Sequence, residues 1–342
     1  MRWKIVLGVL VCALSTALIL SYDSVSRIGL IRGYREVTLD CPLPEMVREV
    51  PRLKVVYDDV SPEEAMNLAE EVFGFVGSVI EIEDSEVGGL KVVGSKKELE
   101  LYSSGAIIFW NREENFSPLH VPDLPSNEEA VCIAENLIRR MEELELIPPG
   151  IELQFEGVGP DAALVGPILE NNELMGVAEA VWGGLLNGPI LENNEGEEIK
   201  IIIESLGVFY RLTYRGFRIW WGDVHISIGE NGKILYFKGP WRRIEENGYT
   251  AITVTPKEAF KRLKSGRFSL LRGSPKKAVV KDVELVYYCG RAHDKLDYLT
   301  PVYLFEMAPI EKGGVEGERF FDVVPATDEP FFPFGKTFEN SL

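Results

Sequence analysis

The sequence predicts an α+β protein built from repeated units, each a helix followed by an antiparallel meander. Three segments share one helix-start pattern, a serine or threonine followed three residues later by a glutamate: Ser61 and Glu64, Ser126 and Glu129, Thr255 and Glu258. Such a pair can form a capping box that satisfies two backbone amides at a helix start. Short alternating runs of apolar and polar residues follow each of these segments and predict antiparallel strands.

The three predicted helices each have one apolar stripe. Pro62 and Pro256 stand at a first helical position, where a missing N–H costs nothing. The apolar positions that follow the caps at helical spacing are Ala65, Leu68, Ala69 and Val72, then Ala130, Ile133, Ala134 and Leu137, then Ala259 and Leu263. A helix with a single apolar stripe needs a sheet to cover it.

The predicted strands come in three groups. The first helix is followed by SVIEIEDS, GLKVVGS, ELELYSS and AIIFWN, and the second by IELQFEG, EIKIIIESLG, VFYRLTYRG, FRIWWGDVHISIG and KILYFKG. The third is followed by VELVYYCG, TPVYLFEM and ERFFDVVP. Within the long run before KILYFKG, Val224, Ile226 and Ile228 face one side of the strand, and His225 and Ser227 face the other.

The N-terminus predicts a membrane anchor. Residues 5–22 are uncharged and follow Arg2 and Lys4. A run of this length is at the lower end of what spans a bilayer and is longer than the apolar part of a typical signal peptide. We therefore expect an uncleaved signal anchor at residues 1–22, with a cleaved signal peptide as the alternative. The basic flank predicts a single-pass membrane protein whose C-terminal domain is extracytoplasmic.

The rest of the chain divides into five expected segments. They are a stalk at residues 23–52, a first α+β domain at 53–116, a linker at 117–125, a second, larger α+β domain at 126–325 and an extended tail at 326–342. The linker lies where a proline-rich stretch interrupts the pattern of helices and strands. The second domain carries an expected insertion at residues 160–195, in which the sequence GPILENNE occurs twice.

The charge of the chain limits its partners. The formal net charge is −18 at pH 7, and 46% of the residues are hydrophobic. Such an acidic surface repels phosphate backbones, so nucleic acid and anionic lipid are poor partners, whereas a basic patch on another protein is a good one. The hydrophobic content excludes a disordered chain.

Cysteine usage leaves two alternatives open. Besides Cys12 in the apolar run, the chain has Cys41, Cys132 and Cys289. Cys132 falls in a helical pattern, where we expect a small buried hydrophobic side chain. The remaining two can form a Cys41–Cys289 disulfide, or all three can be unpaired buried thiols.

The sequence contains no recognisable catalytic constellation. The histidines are isolated, and no spacing typical of a zinc, phosphate or dinucleotide site occurs. We assign no catalytic residue, metal or cofactor and expect no enzyme. The densest polar cluster, at residues 291–297, offers His293 with Asp294 or Asp297 as an acid–base pair, but a hairpin loop explains it more simply.

Tryptophan and arginine side chains give the better functional signal. Two neighbouring segments place these two residue types side by side: Trp220, Trp221, Trp241, Arg218, Arg242 and Arg243. Protein interfaces use both residue types as anchors, so we predict that this set binds a partner protein. Because side chains alternate along a strand, either Trp220 or Trp221 must face the core.

These segments resemble PepSY-type domains and peptidase propeptides. The resemblance rests on the helix starts TPKEAFKRL and SPEEAMNLAEE, on the hairpin YRGFRIWWGDVHISIGENGKILYFKG, and on the later strands VELVYYCG and LTPVYLFEM. The order of segments is also similar to membrane-anchored extracytoplasmic regulators of a bacterial cell-wall histidine kinase. The resemblance implies PepSY- or cystatin-like units and a non-catalytic module that binds or restrains a partner, with a sensor kinase or a peptidase as candidates.

Three functions follow as alternatives. The first is a membrane-anchored extracytoplasmic module that binds a partner protein and regulates or inhibits it. The second is a hydrolase whose site is assembled around His293. The third is a small-ligand sensor with an apolar pocket between helix and sheet.

Overall fold

The computed structural model describes residues 36–83, 85–112, 122–165, 190–192, 198–265, 277–311, 313–317 and 319–328. The described helices are α1 (Pro62–Glu71), α2 (Asn127–Glu143) and α3 (Pro256–Lys264). The strands are β1 (Glu36–Leu39), β2 (Glu49–Val55), β3 (Ser78–Glu81), β4 (Gly89–Val93), β5 (Lys97–Tyr102), β6 (Ile107–Asn111), β7 (Ile151–Val165), β8 (Ile190–Glu192), β9 (Glu198–Tyr214), β10 (Phe217–Ile228), β11 (Ile234–Gly239), β12 (Ile244–Ala251), β13 (Lys277–Tyr288), β14 (Thr300–Pro309) and β15 (Phe320–Pro325).

The chain forms two compact units. Of the described residues, the first unit holds 36–50, 250–286 and 301–328, and the second holds 51–249 and 287–300. In the first unit β1 runs parallel to β13, β13 neighbours β14, and β14 pairs with β15 in antiparallel fashion. The buried side of α3, with Ala259 and Leu263, packs against β15.

The second unit is organised by a long sheet in the order β7-β9-β10-β11-β6-β5-β4-β3. Every neighbouring pair in this order is antiparallel. The short β8 also pairs with β9, and the last two residues of β13 run parallel to β10. The sheet is therefore mixed.

One row of apolar residues crosses this sheet from edge to edge. Its members stand directly opposite one another on successive strands: Val79, Val92, Leu99, Phe109, Phe237, Ile226, Val208 and Val158. The six from Val92 to Val208 are at most 1% exposed. Phe73, just after α1, stacks on Phe109 with ring centroids 4.2 Å apart and lies 6.0 Å from Phe237. The row is therefore the core against which the helical layer packs.

The predicted helix starts are confirmed. Ser61 accepts a hydrogen bond from the Glu64 amide at 3.2 Å and donates its own amide to the Glu64 carboxylate at 2.8 Å, and Ser126 and Glu129 do the same. The bond from the Ser61 amide lowers the pKa of Glu64, because it stabilises the charged carboxylate. Thr255 caps α3 at 3.1 Å, but Glu258 pairs with Lys261 instead of completing the box.

The predicted fold class is wrong. The described chain is mostly β, and its strands do not form a separate meander after each helix. Strand β6, which follows α1, pairs with β11, which follows α2, so strands assigned to two domains share one sheet. Strand β7 is also much longer than the predicted run IELQFEG, and β9 joins two runs that the sequence indicated as separate strands. Sheet pairing between distant segments, rather than local repetition, sets the architecture.

The expected domains also divide differently in the structure. Residues 53–112 and 126–249 belong to one compact unit, and most of the predicted linker at 117–125 lies outside the described residues. The expected stalk contains β1 and the start of β2, with Val37 and Val50 buried. The expected insertion at 160–195 begins inside β7, and its second GPILENNE copy contributes β8, which pairs with β9. The first copy and residues 329–342 of the tail lie outside the described residues.

The predicted single-pass membrane helix is not supported. Of the helices in the described part of the chain, none combines the length and apolar character needed to cross a bilayer. The apolar run at residues 5–22, on which the prediction rested, lies outside the described residues. The expectation of a membrane-anchored protein with an extracytoplasmic C-terminal domain is therefore withdrawn.

We expect Phe109→Ala to lower the free energy of unfolding by about 3–5 kcal/mol, the usual cost of removing a buried phenylalanine ring. The measurement is urea denaturation followed by circular dichroism. The matched control is Phe155→Ala in the same sheet, because Phe155 is 52% exposed and its loss removes little buried area. Equal effects of the two substitutions would contradict the central place of the apolar row.

Candidate functional site

The face of the long sheet opposite the apolar row carries the polar side chains of the second unit. Neighbouring strands again place residues directly opposite one another: Ile80, Lys91, Glu100, Ile108, Lys238, His225 and Phe209. Because side chains alternate along each strand, the register that buries the apolar row aligns this second row on the other face. Two clusters stand out on it, one near β3 and one near β7.

The cluster near β3 surrounds a cavity of about 770 Å³. Its lining consists of Ile80, Glu81, Ile82, Glu83, Lys91, Glu100, Tyr102 and His293. Three of these side chains are carboxylates and one is an ammonium. The cavity therefore combines an acidic wall with the aliphatic surface of two isoleucines.

The inner wall of this cavity is held by hydrogen bonds. Tyr102 donates its hydroxyl to Glu100 at 2.7 Å, while Lys91 lies 2.8 Å from Glu98 and 3.5 Å from Glu100. The hydrogen bond with Glu98 raises the pKa of Lys91, and the same contact lowers the pKa of Glu98. Burial is the main reason that the pKa of Tyr102 is raised. Glu98 and Glu100 thus share the single ammonium of Lys91, whereas the residues Glu81 and Glu83 are exposed.

His293 enters the cavity from the loop at residues 291–297, and buried groups fix that loop. The Arg242 guanidinium, 2% exposed, donates to the Cys289 carbonyl at 2.8 Å and to the Arg291 carbonyl. Asp294 accepts a hydrogen bond from the Arg291 amide at 2.8 Å. The Tyr57 hydroxyl accepts from the Leu296 amide at 2.7 Å. The expected loop between two strands is present, and it is well anchored.

The predicted alternative of an acid–base pair at His293 receives little geometric support. His293 Nε2 lies 3.7 Å from Asp294 Oδ1, beyond hydrogen-bond distance, and Asp294 is already engaged in the turn of its own loop. The His293 side chain is 45% exposed. His293 is one of the residues that line the cavity.

The closer histidine–carboxylate pair occurs in the second cluster, which the sequence analysis missed. His225 Nε2 lies 3.2 Å from Asp161 Oδ2, and the same oxygen accepts from Ser205 at 3.3 Å and from Ser227. The His225 ring stacks on Phe209 with centroids 4.6 Å apart. Both serines bond to the carboxylate instead of the imidazole. The cluster therefore immobilises His225 but does not pair it with an activated hydroxyl.

One signal for this cluster was available in the sequence. The alternation of β10 already placed His225 and Ser227 on one side of the strand. Asp161 was missed because it fell inside the expected insertion, whereas β7 continues through it to Val165. Ser205 stands opposite Asp161 in β9. Gly207, two residues further along β9, leaves space for Phe209 and Asp161, since a Cβ there would lie 2.8 Å from the Phe209 ring and 3.0 Å from Asp161 Oδ1.

Half of the predicted partner-binding set is buried. Trp220, Trp241 and Arg242 are 5%, 1% and 2% exposed, so they contribute to packing and not to a surface. Trp221 has a left-handed φ of 68° in a bulge of β10 and stacks on Trp220 with centroids 5.4 Å apart. The two remaining arginines form ion pairs, Arg218 with Asp223 at 3.4 Å and Arg243 with Asp58 at 2.5 Å. Partner binding through this set stays a prediction. It depends on the residues that solvent can reach, which are Trp221, Arg218 and Arg243.

The three cysteines in the described part of the chain are free, so neither the disulfide alternative nor the expectation of a buried Cys132 holds. Cys289 is 1% exposed and donates its thiol to the Gly290 carbonyl at 3.4 Å, and Cys41 is also unpaired, so the Cys41–Cys289 disulfide is absent. Cys132 is exposed on α2 rather than buried. Across the described ranges, no three His, Cys, Asp or Glu side chains are grouped closely enough to hold a metal ion.

Comparisons with known proteins add no family. Neither a known protein family nor a curated protein matches the chain. Among solved structures, the chain is similar to an uncharacterized protein from Eubacterium rectale ATCC 33656, with a TM-score of 0.37 and 13% identity over 82% of this chain and 84% of that one. A similarity this weak carries no argument about fold or function.

We expect the thiols to differ sharply in reactivity. Burial raises the pKa of Cys289 to about 12, so almost no reactive thiolate forms at neutral pH. Cys132, being exposed, should react rapidly with Ellman's reagent in the native protein. Cys132→Ser should remove a rapid phase, whereas Cys289→Ser should change labelling only in denaturant. A rapid native phase that Cys289→Ser removes would contradict the burial of Cys289.

We expect His293→Ala to change the free energy of unfolding by less than about 0.5 kcal/mol, as for other exposed positions. The neighbouring Asp294→Ala serves as the comparison. It should cost about 1–3 kcal/mol because it leaves the Arg291 amide without its acceptor. Thermal and urea unfolding measure both, and a larger loss from His293→Ala than from Asp294→Ala would show that the loop is held differently.

Proposed function

We propose that the second unit is a protein-binding module in which the edge of β3 accepts an extended segment of a partner protein. The observation that carries the proposal is that β3 ends the long sheet: β4 lies on one side of it, and no other described strand pairs with its second side. An edge strand offers backbone donors and acceptors to an added strand, which is a common mode of peptide recognition.

The register identifies the backbone groups that point outward. The Ile82 amide donates to the Gly89 carbonyl at 3.1 Å, so Ile82 and Gly89 form a hydrogen-bonded pair. Such pairs alternate along an antiparallel ladder, and Ile80 with Lys91 is therefore the next hydrogen-bonded pair. The amides and carbonyls of Val79 and Glu81 point to the open edge.

The surroundings of this edge favour a partner. Ile80 is 50% exposed and Val76, just before β3, is 64% exposed. Natural edge strands are usually protected by charges, prolines or covering loops, and exposed aliphatic residues at an edge are typical of a binding surface. The acidic cavity opens beside the same strand.

The resemblance to PepSY-type domains supports the same class of function. It implies a module that binds or restrains another protein, with a sensor kinase or a peptidase as the candidate partner. The alternative of a hydrolase around His293 lacks a paired acid or base at hydrogen-bond distance in the described residues. We therefore favour protein binding, in a regulatory or inhibitory role.

The test is whether binding depends on the outward amide of Val79. A phage-displayed library of random twelve-residue peptides is selected on the full chain, and the affinities of recovered peptides are measured by fluorescence polarisation. Val79→Pro should abolish binding, because proline removes the outward amide but no hydrogen bond to β4. The matched variant Val79→Ala keeps the amide and should bind within about threefold of the parent.

The proposal fails if no peptide is recovered, or if Val79→Pro and Val79→Ala bind equally well. Circular dichroism and thermal unfolding of both variants confirm that the sheet is intact. Pairing of two copies of this chain through β3 is a separate outcome, and sedimentation at several protein concentrations would reveal it.

A further inference from the structure

We infer that Arg242 binds a small monovalent anion such as chloride in the interior of the second unit. The inference is independent of the β3 edge and rests on buried hydrogen-bond donors that lack an acceptor. The Arg242 side chain is buried, and its Nη1 forms no hydrogen bond with any described residue. Buried polar groups in native proteins are almost always paired, so an unpaired donor points to a bound water or ion.

The charge of this guanidinium has no direct counter-ion. The Nε and Nη2 atoms of Arg242 donate to the backbone carbonyls of Cys289 and Arg291, which are neutral acceptors. Asp294, the buried carboxylate of the same loop, accepts from the Arg291 amide and forms no ion pair with Arg242. A buried charge without a counter-ion is costly, and a bound anion would compensate it.

Two further buried donors next to Arg242 also lack an acceptor in the described part of the chain. They are the indole Nε1 of Trp241 and the hydroxyl of Ser104. Trp241 precedes Arg242 in the chain, and the Ser104 carbonyl accepts from the Arg243 amide at 2.8 Å. Three groups that can donate, and no matching acceptor, therefore occur in one region of the interior.

This region lies where three segments of the chain meet. Ala292 follows the carbonyl that Arg242 binds, and it packs with Tyr102 and Ala106 in one apolar cluster. The turn that contains Ser104 is thus beside the loop at residues 291–297. In an interior of low dielectric constant, the attraction between a guanidinium and an anion is stronger than in water.

The donor set indicates the kind of ligand. One guanidinium balances one negative charge, so a divalent phosphate or sulfate would leave an excess charge in the interior. An arginine and a tryptophan side chain offer donors and no acceptor, which excludes a metal cation as their ligand. A water molecule can accept these hydrogen bonds, but it leaves the positive charge uncompensated.

The first test is the chloride dependence of unfolding of the full chain, with gluconate replacing chloride at constant sodium concentration. A single site that exists only in the folded state should lower the unfolding equilibrium constant about tenfold for each tenfold rise of chloride above the dissociation constant. Urea denaturation followed by circular dichroism measures this constant. A stability that does not respond to chloride would overturn the inference and assign the donors to water.

Arg242→Gln should abolish the chloride response, because it removes both the positive charge and the Nη1 donor. The matched control is Arg243→Gln, which removes a neighbouring guanidinium that pairs with Asp58 at 2.5 Å. This control should keep the response. A response that both variants keep, or that both lose, would contradict binding at Arg242.

Ser104→Ala and Trp241→Phe decide the question if Arg242→Gln does not fold. Removing a buried group that has no partner should leave stability unchanged or raise it, because the desolvation cost of that group disappears. Removing a ligand of the anion should instead weaken chloride binding about tenfold, the scale of one hydrogen bond to a charged group. An unchanged chloride affinity in both variants would overturn the inference.

A crystal grown with bromide in place of chloride gives an independent measurement. Bromide scatters X-rays anomalously, and its difference peak should lie beside Arg242 Nη1, within reach of Trp241 Nε1 and Ser104 Oγ. Bromide peaks confined to the protein surface, with none beside Arg242, would show that the inference is wrong.

Discussion

The second unit depends on the pairing of Phe109 with Phe237 on neighbouring strands. These two rings are 1% and 0% exposed, stand opposite each other on β6 and β11, and lie under Phe73. The pair joins the four strands β3–β6 to the four strands β7 and β9–β11, which are far apart in sequence. Because one residue of slip would turn every apolar side chain of a strand to the opposite face, this pairing fixes the register of the joined sheet. The aromatic area buried there makes the correct register the stable one.

The polar face follows from the same register. Alternation along each strand means that burying Phe109 and Phe237 on one face places Ile108 and Lys238 on the other, and the same rule aligns Lys91 with Glu100 and His225 with Phe209. The two clusters near this face differ in how many of their polar groups have hydrogen-bond partners. Around Asp161, three donors converge on one oxygen, so the groups satisfy one another. At β3 the sheet ends, and the outward backbone groups of Val79 and Glu81 pair with no described strand. We therefore expect a partner to bind at the edge of β3 rather than at the cluster around Asp161.

Local features were predictable from the sequence, and pairing was not. The caps at Ser61, Ser126 and Thr255 depend on residues three positions apart, and all three are present. The pairing of β6 with β11 joins residues more than a hundred positions apart, and no periodicity within either strand indicates it. Gly157, Gly159 and Pro160 have the composition of a loop, yet β7 passes through all three, with a register shift next to Gly157. The cavity could not be predicted either, since its wall combines β3–β5 with a loop some two hundred residues later.

Arg242 shows why residue type alone does not indicate which side chains are exposed. An arginine beside a tryptophan is typical of an interface, but here the guanidinium is buried and bonds two consecutive parts of the loop at residues 289–291. A planar guanidinium can donate to two carbonyls in fixed directions, which the single ammonium of a lysine does less well. Burying a cation is costly unless its hydrogen bonds are made, so the position of these carbonyls is tied to that of Arg242. The same loop then carries His293 to the cavity wall. The shape of the exposed cavity is consequently set by a buried residue that no partner can reach.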